Sequence, residues 1–295
     1  MKIKTWYIWL SILALLVMAL EEIPDKNFRI VTCDVGQGDA ILLTQGFTQV
    51  LVDGGPTEAV MSCLERYIPW FDRKLEMVVS THPQDDHLAG LVQVLSRYKV
   101  TWLMANGVVN QARSFWDFRQ EVLDNQIQVH APSAGEEIAV GQMHFSVLWP
   151  AERSGDQAIW HDYTKQDQAR VLGAFSGDLN EVSIVLRMRY DRVRVLLTGD
   201  LGSREELALL AHGVITPVEV LKVAHHGSKS SSTQAWLEAL HPEWALISVG
   251  AHNSYGHPSR DTLRRLDIVG AKVLRTDTMG EIVLVSDGQR IWQGK

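Results

Sequence analysis

The sequence predicts an α/β fold whose functional residues lie where strands end. Apolar, strand-like runs alternate with segments of helical periodicity, an order typical of proteins that place their chemistry at the carboxyl ends of strands. Five of these runs are followed by residue types that bind metals: Asp53, the cluster at residues 82–87, Asp200, the pair His225 and His226, and His257. Because the pattern recurs five times, we interpret it as one site rather than as five unrelated features.

The N-terminal segment is an almost unbroken apolar run at residues 5–20. Lys2 and Lys4 precede it, and Glu21 and Glu22 end it. The run is slightly shorter than the ~20 residues that a helix needs to cross a bilayer. We predict a retained membrane anchor, with a cleaved secretion signal or a buried core helix as alternatives. The positive charges at its start predict a cytoplasmic N-terminus and place the rest of the chain on the outer face of the membrane.

The remaining elements are predicted from periodicity and turn residues. In the first half we expect a strand pair at 28–43 around the loop 34–39, strands at 49–52 and 77–80, and helices at 57–68 and 88–98. Short strands and scattered helix at 100–158 lead to a long loop at 155–179. Further strands are expected at 182–190, 194–198, 218–223, 244–249, 272–275 and 281–286, with a helix at 203–210. No low-complexity linker divides residues 28–295, so we predict one domain there, joined by a linker at 23–27 to the segment 1–22.

The composition excludes several classes of protein. With 46% hydrophobic and 21% charged residues, the chain has the composition of an ordinary packed protein. The net charge of -7 excludes a surface that is positive throughout, so a nucleic-acid role would depend on a local basic patch and on bound cations. Cys33 and Cys63 are too few for a disulfide framework and form no C-x-x-C pair. We expect both to be small buried apolar side chains.

The strand-end motifs resemble those of the extracellular hydrolase-like domain of ComEC-type competence proteins. The opening Asp34-Val35-Gly36-Gln37-Gly38-Asp39 is followed in the same order by matching segments at 51–55, 82–87, 180–186, 196–200, 221–228 and 255–258. The loop at 82–87 also differs at one position from the H-x-H-x-D-H motif of metallo-β-lactamase-fold hydrolases, because Gln84 stands at the second ligand position. The resemblance covers residues 28 to about 290 and implies a metallo-β-lactamase-like αββα four-layer sandwich.

This resemblance also implies a function in DNA uptake during transformation. The expected activity is that of a metal-dependent nuclease that hydrolyses one strand of incoming DNA. Its partners would be single-stranded DNA, the membrane and the components of a DNA-uptake channel. The domain would lie on the periplasmic or extracellular face of the plasma membrane. Two alternatives stay open: a metallohydrolase for another small substrate, such as a small phosphodiester or a lactam, and a degenerate DNA-binding module with weak or no catalysis.

The family pattern assigns the metal ligands of this chain to two sites. The second site comprises Asp86, His87, the bridging Asp200 and one of the two histidines His225 and His226. This is a full set of protein ligands, so we expect one firmly bound divalent metal, Mn²⁺ or Zn²⁺.

The first site is expected to be weaker. It retains His82 but has the neutral Gln84 at the second ligand position, and Asn180 stands about where a further histidine would be. Amide oxygens suit harder ions better than they suit zinc. We therefore expect this site to fill only when a substrate phosphate supplies additional oxygens.

Other residues are expected to support the reaction. Asp86 would orient the attacking water, and His257 would protonate the leaving group or bind phosphate. Lys222, Ser228 and Lys229 form a donor-rich segment that we expect to bind backbone phosphates. Three acidic residues are expected to have supporting roles: Asp34 and Asp39 bracing the glycine-containing loop between them, and Asp53 orienting a ligand histidine.

Overall fold

Residues 5–153, 157–160 and 177–294 are described in the computed structural model. The strands, in chain order, are β1 (Phe28–Thr32), β2 (Ile41–Gln45), β3 (Thr48–Val52), β4 (Lys74–Ser80), β5 (Lys99–Ala105), β6 (Val129–His130), β7 (Glu137–Val140), β8 (Met143–Trp149), β9 (Val185–Tyr190), β10 (Val193–Leu197), β11 (Val220–Lys222), β12 (Trp244–Ile247), β13 (Lys272–Arg275), β14 (Ile282–Ser286) and β15 (Ile291–Gln293). They form an eight-stranded sheet of order β15-β14-β1-β2-β3-β4-β5-β6 and a seven-stranded sheet of order β13-β12-β11-β10-β9-β8-β7.

Helices accompany both sheets. The α-helices of the described residues are α1 (Thr5–Glu21), α2 (Ala59–Tyr67), α3 (Asp85–Arg97), α4 (Arg113–Asp124), α5 (Ser203–Ala211), α6 (Gln234–Leu240), α7 (Arg260–Ile268) and α8 (Thr276–Met279). Short 3-10 segments lie at Gln157–Trp160, Leu179–Val182 and Ala224–Gly227.

Three buried apolar clusters hold the layers together. The cluster between the two sheets includes Phe28, Phe145 and Leu186. A second cluster packs α2, α3 and α4 against the outer face of the eight-stranded sheet, with Leu64, Leu91 and Phe118 among its members. A third packs α5, α6 and α7 against the seven-stranded sheet through Leu209, Trp236 and Leu266. The predicted four-layer αββα sandwich is therefore confirmed.

The site-bearing loops follow strands of the parallel part of each sheet. In the first sheet β3, β4 and β5 are parallel, and in the second β10, β11 and β12 are parallel. Because the carboxyl ends of parallel strands lie at the same edge of a sheet, the loops after β3 and β4 leave one edge together. The loops after β10, β11 and β12 do the same in the other sheet. The five predicted strand ends therefore fall into two groups, one in each sheet.

Glycines let α3 approach the loop after β3. The Gly54 N–H donates to the carbonyl of His87 at 2.7 Å, and the Gly90 N–H donates to the carbonyl of Gly55 at 2.8 Å. A Cβ atom at Gly90 would collide with the carbonyl oxygen of Gly54. This close contact places the first turn of α3, which carries Asp86, beside the β3 loop.

Helix α1 lies outside the sandwich. Its described side chains between Trp6 and Leu20 are almost all exposed, which excludes the alternative of a buried core helix. Within the described part of the chain, no helix combines the length and apolarity needed to cross a bilayer. The membrane anchor stays a prediction.

Cys33 and Cys63 are joined in a disulfide, so the expectation of two unpaired cysteines was wrong. Both are buried as expected, Cys33 just after β1 and Cys63 on α2, with their Cα atoms 5.8 Å apart. The pairing depends on how α2 packs on the first sheet. The spacing of the two cysteines, which are 30 positions apart, therefore could not predict the disulfide.

Most predicted strands coincide with observed ones to within a few residues, but among the described helices and strands four have no sequence prediction. These are α6, α7, α8 and β15. Helix α6 has seven residues and α7 has nine, lengths at which helical periodicity is a weak signal. The predicted long loop at 155–179 lies mostly outside the described residues.

Candidate metal centre

Four side chains from the two sheets converge on one point. Asp86, His87, Asp200 and His226 each offer a ligand atom, and all four atoms lie within 4.8 Å of one another. His87 Nε2 is 3.3 Å from Asp200 Oδ1, and His226 Nε2 is 3.4 Å from both Asp200 Oδ2 and Asp86 Oδ2. Two imidazole nitrogens and two carboxylates are thus directed at a common volume.

Three of the converging atoms are buried and have no hydrogen-bond partner among the described residues: His87 Nε2, His226 Nε2 and Asp200 Oδ1. An unsatisfied buried polar atom costs about 1 to 3 kcal/mol, so a cluster of three is unusual unless a ligand satisfies it. Nitrogen and carboxylate donors of this kind suit Zn²⁺ and Mn²⁺. The donor set therefore fits a divalent cation.

Hydrogen bonds from the far side of each imidazole orient the two histidines. His87 Nδ1 donates to Asp53 Oδ2 at 2.8 Å, and His226 Nδ1 donates to the carbonyl of Ser248 at 2.9 Å. Asp53 is itself fixed by two hydrogen bonds of 2.8 Å from the backbone N–H and hydroxyl of Thr81. Such partners set the tautomer and direction of metal-binding histidines. Each Nε2 is thereby left free to face the centre.

Burial separates the roles of the paired histidines, although their backbone conformations are alike. His225 and His226 both have positive φ, 50° and 51°, and Asp53 has φ of 60°. Left-handed conformations cost a non-glycine residue about 1 to 2 kcal/mol and are concentrated at functional sites. The turn buries His226 within the cluster, whereas His225 stays partly exposed with Nε2 3.9 Å from Asp200 Oδ2. Of the two candidates, His226 belongs to the four-residue group.

The carboxylates make the centre electrostatically negative. Burial raises the pKa of Asp200, but the charges of His226 and His87 outweigh burial and hold this pKa well below its usual value. Burial lowers the pKa of His226, but Asp200 and Asp39 outweigh burial and raise this pKa to about 9. The surrounding carboxylates thus favour positive charge at the centre, where a cation bound at the His226 Nε2 would replace a proton. The same field favours a bound cation.

The residues expected at the first metal position have a different geometry. His82 Nε2 lies 3.0 Å from Gln84 Oε1, and His82 Nδ1 lies 3.0 Å from the Thr81 hydroxyl. Burial and the charge of His87 lower the pKa of His82 to about 4, so its imidazole is neutral. The neutral ring therefore donates its Nε2–H to the Gln84 oxygen, so this Nε2 is engaged within the protein. Asn180 lines the nearby cavity, and its buried Oδ1 lacks a partner in the described structure.

Lys222 lies inside the fold, so its expected role in phosphate binding was wrong. Its Nζ is 2.6 Å from Asp39 Oδ2 and donates to the carbonyl of Val223 at 2.9 Å. Burial raises the pKa of Asp39, but Lys222 and His226 outweigh it and bring this pKa to about 2. Asp39 therefore forms a buried ion pair behind the centre rather than bracing its own loop. Asp34 does brace that loop, since its Oδ1 accepts the Gly36 N–H at 3.3 Å.

The other two predicted phosphate contacts, Ser228 and Lys229, are not in the described lining of the cavity above the four ligands. Ser228 is buried and shares a hydrogen bond of 2.9 Å with the Ser230 hydroxyl, so its predicted contact with phosphate was also wrong. Lys229 is exposed but does not belong to the described lining of the cavity above the four ligands. The sequence showed the donor types, but it could not show that Lys222 and Ser228 pack inward.

An open cavity of about 670 Å³ lies over the four ligands. Its described lining includes Asp86, Asp200, His225, His226 and His257, together with residues that were not predicted: Gln37, Asn110 and Tyr255. Gln84 and Asn180 also line it, so among the described residues the cavity joins seven predicted site residues to the amides Gln37 and Asn110 and to Tyr255. The only sequence signal for those amides is that their loops follow strands whose carboxyl ends lie at the same edge of the sheet.

His257 and Tyr255 form one wall of this cavity. Their rings are nearly parallel, 17° apart, with centroids separated by 5.8 Å, and Tyr255 is 70% exposed. Asn253 holds this loop, because its side chain accepts the N–H groups of both residues. Burial and the charges of His225 and His226 lower the pKa of His257, and its buried Nδ1 has no partner in the described part of the protein.

Comparison with protein families decides the classification of this fold. The model of the metallo-beta-lactamase superfamily matches residues 33–252. The chain belongs to this superfamily. Membership supports a metal-dependent hydrolase domain and implies divalent-metal binding, for which Asp86, His87, Asp200 and His226 are the candidate ligands.

Relatives within the superfamily include proteins of bacterial competence. The chain is 28% identical over 268 residues to ComE operon protein 3 of Bacillus subtilis, covering 84% of this chain and 32% of that protein. It is 26% identical to competence protein ComA of Neisseria gonorrhoeae, with 89% and 33% covered. Recombination protein 2 of Haemophilus influenzae is 25% identical, with 92% and 30% covered. The predicted resemblance to ComEC-type proteins is confirmed, and the chain spans about one third of these relatives.

Solved structures share the fold at low sequence identity. YhfI of Bacillus subtilis has a TM-score of 0.54 at 12% identity, covering 90% of this chain and all of its own. CmlA, a diiron β-hydroxylase of Streptomyces venezuelae, has a TM-score of 0.54 at 13% identity, with 92% and 55% covered. These similarities describe the sandwich and leave the substrate open.

Proposed function

We propose that this chain is a nuclease domain of a DNA-uptake system and hydrolyses the phosphodiester bonds of single-stranded DNA. The observation that carries the proposal is the group of unpartnered ligand atoms at the base of an open cavity. The names of the relatives, which refer to competence and recombination, favour DNA as the substrate over other phosphodiesters.

A divalent cation supplies Lewis acidity in such a centre, which activates water and neutralises phosphate charge. Asp86, His87, Asp200 and His226 would hold it. Since the chain carries a net charge of -7 and Lys222 is buried against Asp39, bulk positive charge contributes little to phosphate binding. The cation is therefore the main attraction that this cavity offers to a phosphate.

Residues of the cavity would position the substrate and move protons. The Asp86 side chain is 33% exposed at the cavity and close to His226, so its carboxylate can accept a proton from the attacking water. His257 presents an unpartnered nitrogen that can bind a phosphate oxygen or transfer a proton to the leaving oxygen. Tyr255 offers an exposed ring on which a base of a single strand can stack.

Nuclease assays with Mn²⁺ on single-stranded and double-stranded DNA test this function. We expect cleavage of the single strand by the wild type and a loss of at least 100-fold in Asp200→Ala and Asp86→Ala. His212→Ala, an exposed histidine distant from the centre in sequence, serves as the control and should keep full activity. Cleavage that survives both aspartate substitutions would refute the metal mechanism.

The same assay separates the alternatives. Hydrolysis of bis-p-nitrophenyl phosphate without any cleavage of DNA would identify an enzyme for a small phosphodiester. DNA binding without hydrolysis under any metal would favour the binding module, for which the pairing of His82 with Gln84 is the structural argument.

We further propose that the domain lies on the outer face of the plasma membrane, anchored through α1 and associated with channel components. The Cys33–Cys63 disulfide supports this location, because disulfides persist mainly in oxidising compartments. Blocking free thiols in intact cells, followed by mass spectrometry, should recover the two cysteines as a linked peptide. Recovery of two alkylated thiols would contradict the location.

A further inference from the structure

Three exposed aromatic side chains form a cluster at one edge of the eight-stranded sheet. Phe47 lies in the turn between β2 and β3, and Trp70 and Phe71 lie between α2 and β4. Their exposed fractions are 48%, 47% and 40%. The ring centroids of Phe47 and Phe71 are 6.2 Å apart, and those of Trp70 and Phe71 are 5.5 Å apart. Contiguous exposed apolar surface of this kind is typical of sites that contact a protein partner or a membrane.

This aromatic cluster adjoins the point where α1 meets the domain. The Glu22 carboxylate, directly after α1, accepts the backbone N–H of Trp70 at 3.1 Å. Residues 5–20 of α1 carry no charged side chain, and the described ones are exposed along the helix. Two exposed apolar features, a helix and a patch of rings, are therefore joined by a hydrogen bond at their boundary.

The aromatic cluster and the metal centre lie at opposite edges of the sheet. Phe47 immediately precedes β3, and Asp53, which orients His87, immediately follows it. The parallel strand β4 begins three residues after Phe71 and ends just before the loop of His82. With a rise of about 3.3 Å per residue, five strand residues separate the two edges by roughly 17 Å.

We propose that the aromatic cluster rests against the interfacial layer of a lipid bilayer that holds α1, so that the catalytic cavity opens away from the membrane. Aromatic rings favour the boundary between headgroups and acyl chains. A lipid surface is the occupant because the adjoining helix is uncharged over residues 5–20 and exposed, which suits acyl chains. The inference concerns placement only and holds whether or not the cavity cleaves DNA.

Fluorescence quenching by brominated lipids tests this placement with the full chain in vesicles. The chain has ten tryptophans, so the difference in emission between the wild type and Trp70→Phe isolates Trp70 while an aromatic ring is kept. We expect brominated acyl chains to quench at least half of the Trp70 emission. The variants Trp6→Phe and Trp9→Phe isolate the emission of these two α1 residues in the same way. We expect brominated acyl chains to quench that emission as well.

Tyr255→Trp places a reporter at the cavity, and we expect its added emission to be unquenched by the same vesicles. If Trp6 and Trp9 are quenched but Trp70 is not, the aromatic cluster does not contact lipid and its proposed docking is overturned. A cluster that is covered by a protein partner would give this result. Quenching of the reporter at position 255 would overturn the orientation of the cavity. If none of these groups is quenched, α1 does not lie in lipid and the whole inference fails.

Discussion

His82, in the loop after β4, and His87, in the first turn of α3, lie five positions apart and have opposite surroundings. Both Nε2 atoms are buried, but that of His82 is hydrogen-bonded to Gln84, whereas that of His87 has no partner among the described residues. The difference follows from one amide. Gln84 provides a neutral oxygen that forms a hydrogen bond with His82 and lacks the negative charge that would favour a second cation.

Replacing Gln84 by aspartate is predicted to create the first metal position. A carboxylate supplies the missing charge, so Gln84→Asp should bind a second divalent cation at least tenfold more tightly than the wild type. Metal analysis after dialysis against Mn²⁺ checks this, with Gln93→Asp on the following helix α3 as a control. An unchanged metal count in Gln84→Asp would show that Gln84 is not what weakens the position.

Asp53 is predicted to act on the metal through His87. Loss of the carboxylate in Asp53→Asn weakens the hydrogen bond that directs His87, and such changes reduce metal affinity about 10- to 100-fold. Competition with a chelator measures the affinity. Asp34→Asn alters an exposed side chain of the neighbouring loop and should leave the metal affinity unchanged. Equal metal affinities in the two variants would show that Asp53 does not support the metal site through His87.

The sequence was informative about ligand types and much less so about burial. Asp86, His87 and Asp200 were recognisable because each stands in a motif at a strand end. The choice of His226 over His225 required the burial and contacts of the two side chains, since neighbouring residues differ in direction rather than in type. Lys222 was misassigned because a lysine is rarely buried, and its partner Asp39 is distant in sequence.

Among the elements, α3 shows how packing positions the site. Its first turn carries Asp86 and His87, and it can approach the β3 loop only because residue 90 lacks a side chain. Alanine in a helix is ordinarily more favourable than glycine. At this position the steric contact with Gly54 should reverse that preference.

Gly90→Ala is therefore expected to destabilise the protein by about 1 to 3 kcal/mol through overpacking. Ser96→Ala on the same helix is exposed and should stabilise it by about 0.5 kcal/mol. Urea unfolding of both variants provides the comparison. A stabilised Gly90→Ala would mean that α3 does not pack closely on the β3 loop.

Strand ends were the best predicted features at the scale of elements, because apolar runs followed by Gly, Asp or His give a sharp boundary. The short helices α6 and α7 could not be predicted, since their stability depends on Trp236 and Leu266 packing against the seven-stranded sheet. Propensity alone carries little information at these lengths.

In the molecule as a whole, the disulfide joins the first sheet to the helical layer that carries α2. The cysteines are 30 positions apart, and closing a loop of this length stabilises a fold by about 3 to 4 kcal/mol in the chain-entropy description. A reductant should lower the free energy of unfolding of the wild type by that amount. The Cys33→Ala/Cys63→Ala variant should not respond. Equal responses of the two proteins would show that the cysteines are unpaired.

The central claim is that one divalent cation is held by Asp86, His87, Asp200 and His226. Mass-spectrometric metal analysis of the purified, dialysed protein tests it most directly, with His226→Ala, Asp200→Ala and His225→Ala measured beside the wild type. We predict one cation per chain in the wild type and in His225→Ala, and none in the other two variants. Cations retained in both His226→Ala and Asp200→Ala, or two firmly held by the wild type without substrate, would contradict the account.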